Sequence, residues 1–458
     1  MTKKYGKSLF IFRRDLRIDD NSALLRALDD SEAVLPCFIF DPRQIEKHDY
    51  LSHPALNFML QCLHELSEDL ARRKGHLYFF YGRVEELVES IVPELNIDAV
   101  FFNRDYTSFS RIRDEAIQAV CNEKKVACEI YADSLLQEPE EICKTNGSPY
   151  TVFTPFYKKA VSLKVRTPRN CTQANFFTEL IPYDSTDSLL RLKSNEVISS
   201  SLKGGRIEAL KLLDRVSSLG NYENTKDFPA LEGTSKLSAH LKFGSISIRE
   251  AFHRIKKQLG EGSPLIRQLY WRDFFTHIAW NFPHVFQGAF YKKYDALEWS
   301  ENEAHFQAWC NGLSGFPIVD AGMRELNSTG FMHNRVRMIC ASFLVKDLHI
   351  NWRKGERYFA RHLIDYDPSL NNGNWQWSAS TGCDAQPYFR IFNPWLQQEK
   401  FDPDCIYIKK YIPELRPLAP GQIHKLFKNF PEGLQYPKPI CEHAEAAAKA
   451  RSIYAELD

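Results

Sequence analysis

All eight tryptophans of this chain fall between Trp271 and Trp395, and the first 270 residues contain none. Indole stacks well, is readily oxidised and is large and apolar, so any single one is most simply an aromatic core residue. Their clustering and their neighbours point further. The richest stretch is DYDPSLNNGNWQWSASTGCDAQPYFRIFNP (365–394). Asp365 and Asp367 flank Tyr366 just before a proline, where an upstream helix cannot continue. Asn371 and its amide neighbours follow, then Trp375 and Trp377 two residues apart. A polar loop of this kind offers carboxylates to accept, amides to donate and aromatic planes to stack. Those groups hold a nitrogen-rich ring system carrying a ribose; the plain alternative is an Asx-rich surface turn.

Three further segments carry compatible chemistry. In GTSKLSAHLKFGSIS (233–247), Thr234, Ser235 and Ser238, with Lys236 and Leu237 between them, open an amphipathic stretch. Backbone N–H groups and the dipole at such a start suit a diphosphate, although simple N-capping would use the same residues. In IRQLYWRDFFTHIAW (266–280), Gln268, Trp271 and Arg272 fall at i, i+3 and i+4, one helix face able to stack and hydrogen-bond a base. In NSTGFMHNRVRMICASFLVKD (327–347), Asn334, Arg337 and Met338 share a face in the same way.

The elements that must position these groups divide the chain. Apolar runs at 8–13, 33–40, 76–82, 99–105 and 127–133 read as strands, and stretches such as Asn57–Arg73 and Ser108–Lys124 have helical spacing. Five strands with helical crossovers predict a doubly wound parallel sheet over residues 1–133. No G-x-G-x-x-G follows the first strand, so the shape of a nucleotide binder comes without the usual phosphate motif. Residues 134–201, with NGSPY, TVFTPFY and RTPRN, read as a long extended connector. From 202 to 458 amphipathic helices dominate: Ile248–Leu259, Ser263–Trp280, Ala304–Asn311, Val319–Leu326 and Val336–Lys346. The expected fold is α/β plus all-α.

Composition narrows the classes. The net charge of +1 does not by itself mark a nucleic-acid binder. Residues 321–361, however, hold eight Lys or Arg against three acids, either a phosphate-tracking face or a solvated helix surface. Eleven scattered cysteines without C-x-x-C suit reduced thiols and a cytoplasmic protein. The longest apolar runs are too short to span a bilayer, and the first twelve residues lack a secretory h-region. The 14 histidines show no metal-binding spacing, so no metal is expected.

FRRDLRIDDN (12–21), GTSKLSAHLKFGSIS, LYWRDFF, GFPIVDAGMRELNSTGFMHNRVRM, WRKGERYFARHLIDYDPSLNNGNWQWSASTGCDAQPYFRIFNP and EKFDP resemble the photolyase/cryptochrome family. The likeness spans nearly the whole chain and is closest to class I cyclobutane pyrimidine dimer (CPD) photolyases. It implies a helical C-terminal domain that binds FAD. Tyr222, Thr234–Ser238, Arg272, Asp365, Tyr366 and Asp367 match positions around the cofactor, and Asn371 matches the residue facing the flavin N5. Trp375, Trp352 and Trp299 match the electron-transfer tryptophans, Trp375 being nearest the ring. Trp271 and Trp377 match the aromatic walls of a pocket for a flipped-out dimer. Asn334, Arg335, Arg337 and Met338 match the pocket lining or rim, with Gln268 and Arg272 on the same substrate side. Lys226 and Gln397 match DNA-contacting positions. The implied partner is UV-damaged DNA with little sequence preference, bound by a monomer with no membrane association.

Three departures from the family pattern stand out. Gln268 replaces a glutamate that hydrogen-bonds the dimer, and Phe331 replaces a tryptophan near the adenine. Phe109–Ser110 replaces an Asn-Glu pair that binds folate, leaving a second antenna chromophore open between folate, a deazaflavin, another flavin or none. Repair of the (6-4) lesion would need two pocket histidines where this chain has Asn334 and Met338. Cryptochrome signalling ranks second to CPD repair, since Asn371 is the photolyase-type residue and the chain stops at Asp458. A flavin oxidoreductase lacks paired dinucleotide fingerprints.

Overall fold

The computed structural model describes residues 3–181, 184, 202–384 and 389–457. Much of the second half of the expected connector, and residues 385–388 of the tryptophan-rich motif, lie outside these. The chain forms two compact units. The first comprises Met1–Val197, Leu202–Ser218 and Ser235–Asn281; the second is built mainly from Leu219–Thr234 and Phe282–Asp458. The helices between Ser235 and Asn281 therefore cluster with the sheet, whereas a division of the sequence at 202 assigns them to the helical part.

In the first unit, strands β1 (Tyr5–Phe12), β2 (Ser31–Phe40), β3 (Tyr78–Tyr81), β4 (Ala99–Asn103) and β5 (Ala127–Tyr131) form a parallel sheet in the order β3-β2-β1-β4-β5. All five lie where the apolar runs predict. Alternation sends Leu9, Ile11, Val100 and Phe102 to one face, where they bury against helices Val84–Glu94 and Ser108–Lys124. Helix Ser22–Asp30 packs on the sheet as well, capped by Asn21. The topological switch point lies between β1 and β4, where open α/β sheets form their ligand crevice.

The segment after β1 is fastened by a buried ionic network. Arg17, Asp20, Asp133 and Arg249 are each at most 7% exposed. Arg249 reaches Asp133 Oδ1 at 2.7 Å and Asp20 Oδ2 at 2.9 Å, and Arg17 reaches Asp133 Oδ2 at 2.6 Å. The Ser22 N–H and hydroxyl also donate to Asp133. Burial alone would raise the Asp133 pKa, but Arg17 and Arg249 hold it well below the usual carboxylate range. Arg249 lies on helix Ile248–Leu259, so this network ties that helix to the β1–α turn and explains why it clusters with the sheet.

Two expectations change. TVFTPFY is not extended: helix Phe153–Val161 begins there, because Pro155 falls in the first turn, where a missing N–H costs nothing. The 365–394 segment is not a loop throughout: Pro368 occupies the first position of helix Pro368–Ala379, and Asp367 caps it. A proline that forbids the helix before it favours the one after.

In the second unit a large apolar core gathers Trp309, Phe316, Val336, Phe343, Trp352, Phe359 and Trp375. Helix Trp352–His362 packs against Pro368–Ala379, and Pro317–Thr329 against Asn334–Ser342 and Ile406–Tyr411. No helix among the described residues is long and apolar enough to cross a membrane.

Replacing Arg249 by Met takes the guanidinium from buried Asp20 and leaves Asp133 with Arg17 as its remaining cation. Chemical denaturation is expected to show a loss of about 3–5 kcal/mol, the usual cost of breaking a buried ion pair from one side; an unchanged midpoint would refute the bracing role.

Candidate active site

The Pro368–Ala379 helix is the spine of the site. Asp367 accepts from the Ser369 and Leu370 N–H groups at 2.9 and 3.1 Å, fixing where the helix starts and hence the phase of every side chain on it. Asn371 and Trp375, four apart, share one face. Trp377, two residues on, is rotated by about 200° and points elsewhere. Trp375 is 2% exposed and sits in the core; Trp377 is half-buried, with the Arg390 guanidinium 5.7 Å from its ring centre.

Asn371 is held by its neighbour helix. Its Nδ2 donates to the backbone carbonyl and the carboxylate of Glu356, both at 2.9 Å. With the amide hydrogens committed, Oδ1 is the end available to accept. Glu356 is itself buried, and sequence inspection passed over it because a lone helical glutamate carries no signal. Gly355, next to it, is required by packing: a Cβ there would run into the six-membered ring of Trp375.

Asp365 is braced by a bidentate Arg337 pair at 3.1 and 3.0 Å, while Arg337 Nε donates to the Met332 carbonyl. The Arg337 guanidinium also lies 5.4 Å from the Phe331 ring centre. Tyr366 is half-buried against the same core. On helix Asn334–Ser342, Asn334 is exposed and its Nδ2 points to Met338 Sδ at 3.8 Å, so the expected face of Asn334, Arg337 and Met338 is present. His333 is not on that face; its Nδ1 caps the helix by accepting from Arg335 N–H. Arg335 pairs with Asp227 at 2.9 Å and covers Phe401. Glu325, buried, accepts from the Tyr407 hydroxyl at 2.6 Å and the His333 N–H at 3.2 Å, locking the start of this helix.

Also in the second unit, Tyr222 is buried at the head of a short turn of helix, and burial raises its hydroxyl pKa. Lys226 caps that turn and pairs with Glu223. Gly233 lies so close to Thr225 that a side chain would not fit. Gln397 is half-buried on helix Pro394–Phe401, its Oε1 buried with no hydrogen-bond partner among the described residues. Trp352 is 4% exposed, and Trp299, half-buried, packs against the same core, so exposure rises from Trp375 through Trp352 to Trp299.

The boundary between the two units falls inside the Thr234–Ser238 segment. In the first unit the helix starts at Ser238, later than Thr234, and Leu237 caps it without a side-chain hydrogen bond. Lys236 adopts φ 55°, and Leu237 is right-handed. Such a reversal of hand makes successive N–H groups converge, as in anion-binding nests. On helix Pro264–Asn281, Gln268 is exposed and Trp271 and Arg272 are half-buried, a common outward side as the spacing predicts. One face of Trp271 is covered by Phe153, with centroids 3.6 Å apart and planes 6° from parallel. Arg272 donates to the Ser134 carbonyl at 2.6 Å. Ser110 is spent within the first unit: its hydroxyl donates to Asp105, and Thr107 caps the helix it begins.

The basic count at 321–361 does not resolve into one open stripe. Arg324, Arg335, Arg337 and Lys354 are ion-paired, and Lys346 is fully buried against the Ala379 carbonyl and the Ser380 hydroxyl. Arg353, Arg357 and Arg361 form the exposed row, at four-residue intervals on one helix.

Two family models match the chain: "DNA photolyase" over residues 8–172 and "FAD binding domain of DNA photolyase" over 265–456. A protein of Escherichia coli (strain K12) named deoxyribodipyrimidine photo-lyase is 39% identical over 463 residues, 97% of each chain. A solved archaeal photolyase from Sulfolobus tokodaii, described with two FAD molecules, is 43% identical with a TM-score of 0.90, covering 98% of this chain and 100% of its own. A class III photolyase from Agrobacterium tumefaciens is 34% identical with a TM-score of 0.92, covering 100% and 98%.

Asp367→Ala is expected to cost about 1 kcal/mol of stability through the lost cap, and Asp367→Asn only a few tenths, since Asn caps about as well. Equilibrium unfolding of both variants checks this; any further loss of cofactor in Asp367→Asn would then report a contact beyond the cap.

Proposed function

Because the chain belongs to the DNA photolyase family and carries the family's FAD-binding domain, we infer that it is a deoxyribodipyrimidine photo-lyase, repairing CPDs in DNA under blue light. The observation that carries this reading is the Pro368–Ala379 helix, with Asn371 and Trp375 on one side and Trp377 on another. That division supports one wall for a cofactor and a separate one for a lesion.

The donor set fits FAD. Asp365, braced by Arg337, and Asp367 offer carboxylates for ribose hydroxyls or an exocyclic amine. In the first unit the Lys236–Leu237 reversal offers converging N–H groups and Arg272 a guanidinium, both suited to a diphosphate; in the second unit Thr234, Tyr222 and Tyr366 offer hydroxyls. Asn371 Oδ1 is free to accept a hydrogen bond from a ring N–H, while Glu356 keeps the amide from flipping. Bound FAD supplies the light absorption and the electron that splits the dimer. Trp375, Trp352 and Trp299 refill the site with electrons from the surface.

For the substrate, the family resemblance assigns base stacking to Trp271 in the first unit and to Trp377 in the second; within the second unit it gives Asn334, Arg335, Arg337 and Met338 the pocket rim and Lys226 and Gln397 the DNA backbone. Gln268 hydrogen-bonds the dimer without supplying a proton. The Arg353, Arg357 and Arg361 row suits phosphate contacts, which carry little sequence information. The protein acts as a cytoplasmic monomer.

Among folate, a deazaflavin, a flavin and none, the reading supported for a second chromophore in the α/β unit is a flavin nucleotide. Ser110 is committed to a helix start, and the Sulfolobus relative is described with two FAD molecules. Near the carboxyl end of β1, Arg13 Nε and Nη2 and Arg113 Nη2 are buried without hydrogen-bond partners among the described residues, a donor set suited to an anionic group.

The deciding measurement uses an oligonucleotide with one thymine CPD and the photoreduced protein, in blue light and in darkness, with a (6-4) substrate alongside. Light-dependent repair of the CPD alone is expected; no repair of either lesion with FAD bound and reduced would favour cryptochrome-type signalling. Trp377→Ala is expected to weaken binding of CPD-containing DNA roughly 5- to 150-fold, one lost base stack, while FAD absorbance per protein stays constant. Equal loss of flavin would refute the division into two walls.

A further inference from the structure

Trp271 is half-buried, and the face of its indole that Phe153 covers is closed by a ring that cannot give way. Phe153 is the first residue of the helix that starts in TVFTPFY, and it is 1% exposed. Tyr157, one turn on, stacks on it at 5.6 Å and 18°, and Phe274 meets it edge-on at 5.7 Å. The Arg267 guanidinium lies 5.4 Å from its ring centre. Trp271 also meets two rings of its own helix. Phe274 stands edge-on to it at 83° and Phe275 is tilted by 28°, both with ring centres 5.7 Å away.

The Phe153–Trp271 pair differs in kind from these contacts. Rings that merely fill a core prefer edge-to-face or offset arrangements with centroids roughly 4.5–7 Å apart, because their quadrupoles repel in full overlap. Here the centroids are 3.6 Å apart and the planes 6° from parallel, an overlap at van der Waals distance. Core filling alone does not select that geometry. Its consequence is orientation: the indole cannot turn about its own side-chain torsions without driving into Phe153. It presents its opposite face in one fixed plane, so a base stacking there does not have to order the wall first.

We propose that Phe153 is a positioning residue for lesion recognition, which fixes the plane of Trp271 and confines stacking to the opposite face of the indole. This rests on the reading of Trp271 as a base-stacking wall given above. Phe153 acts through Trp271 and touches no DNA itself. Capture of an extruded dimer depends on it, whereas splitting of a dimer already bound does not. DNA without a lesion keeps its bases stacked and does not sense it.

The test separates capture from splitting. Phe153→Leu removes the flat ring while filling most of its volume, and Phe153→Met, with a more adaptable side chain, covers a Leu variant that fails to fold. Holoproteins matched in FAD absorbance are titrated in darkness with oligonucleotides that carry or lack one thymine CPD. Both variants are expected to bind the CPD about 2- to 13-fold more weakly, the loss of one aromatic pair, and to bind undamaged DNA as the wild type does. Photoreduced protein saturated with CPD is expected to repair the wild-type fraction per flash, which a general disturbance of the fold would lower. In a Trp271→Leu background, Phe153→Leu is expected to cost no further CPD affinity, because the two residues act as one unit. Unchanged CPD affinity in both Phe153 variants, or the same fold-loss with and without the indole, would overturn the proposal. If Trp271→Leu itself binds the CPD as tightly as the wild type, the reading of Trp271 as a wall fails instead; a wild type that binds both oligonucleotides alike would sink the photolyase reading.

Discussion

The structure of the first unit depends on four buried charges. Arg17 and Arg249 enclose the carboxylates of Asp20 and Asp133, and each is almost wholly removed from water. Charges in such a place are tolerable only when every one is paired and hydrogen-bonded. That condition sets the path of the segment after β1 and the position of the Ile248–Leu259 helix together. It is geometrical control exerted through desolvation: a small shift of any partner would leave a bare charge. The Pro264–Asn281 helix, which presents Gln268, Trp271 and Arg272, packs on the helix that Arg249 anchors.

In the second unit, positioning is done by helix phase. Asp367 and Pro368 fix the first residue of one helix, and everything on it follows at 100° steps. A single register places Asn371 against Glu356, buries Trp375 over Gly355 and leaves Trp377 half-exposed. Gln376 and Asn372, on the remaining face, bind the carbonyl of Val285, so the helix cannot rotate without losing several buried hydrogen bonds. The same polar side chains that make the segment look like a surface loop are its internal fastenings.

Much of the architecture was legible from residue order. Five strand-length apolar runs became the five strands, and helical spacing located the Ile248–Leu259 and Ser108–Lys124 helices to the residue. The shared faces of Gln268, Trp271 and Arg272, and of Asn334, Arg337 and Met338, followed from periodicity because i, i+3 and i+4 neighbours meet on any helix. Local rules failed at prolines, where the same residue ends one helix or starts another. Pro155 and Pro368 both start one.

By itself the sequence determined the strands, most helices, the family and the identity of the groups that carry the chemistry, since these depend on short-range pattern and on residue type. Tertiary structure alone decided which charges are spent. Lys346 is buried under Tyr454, and Arg337 is committed to Asp365, so neither adds to an exposed basic face. It alone showed that Glu356 steadies Asn371, that FRRDLRIDDN is a buried brace, and that Trp309 leans on Trp375. The physical reason is common to all of these. Pairing energies depend on distances between residues tens to hundreds of positions apart, and no local pattern in a single chain encodes those distances.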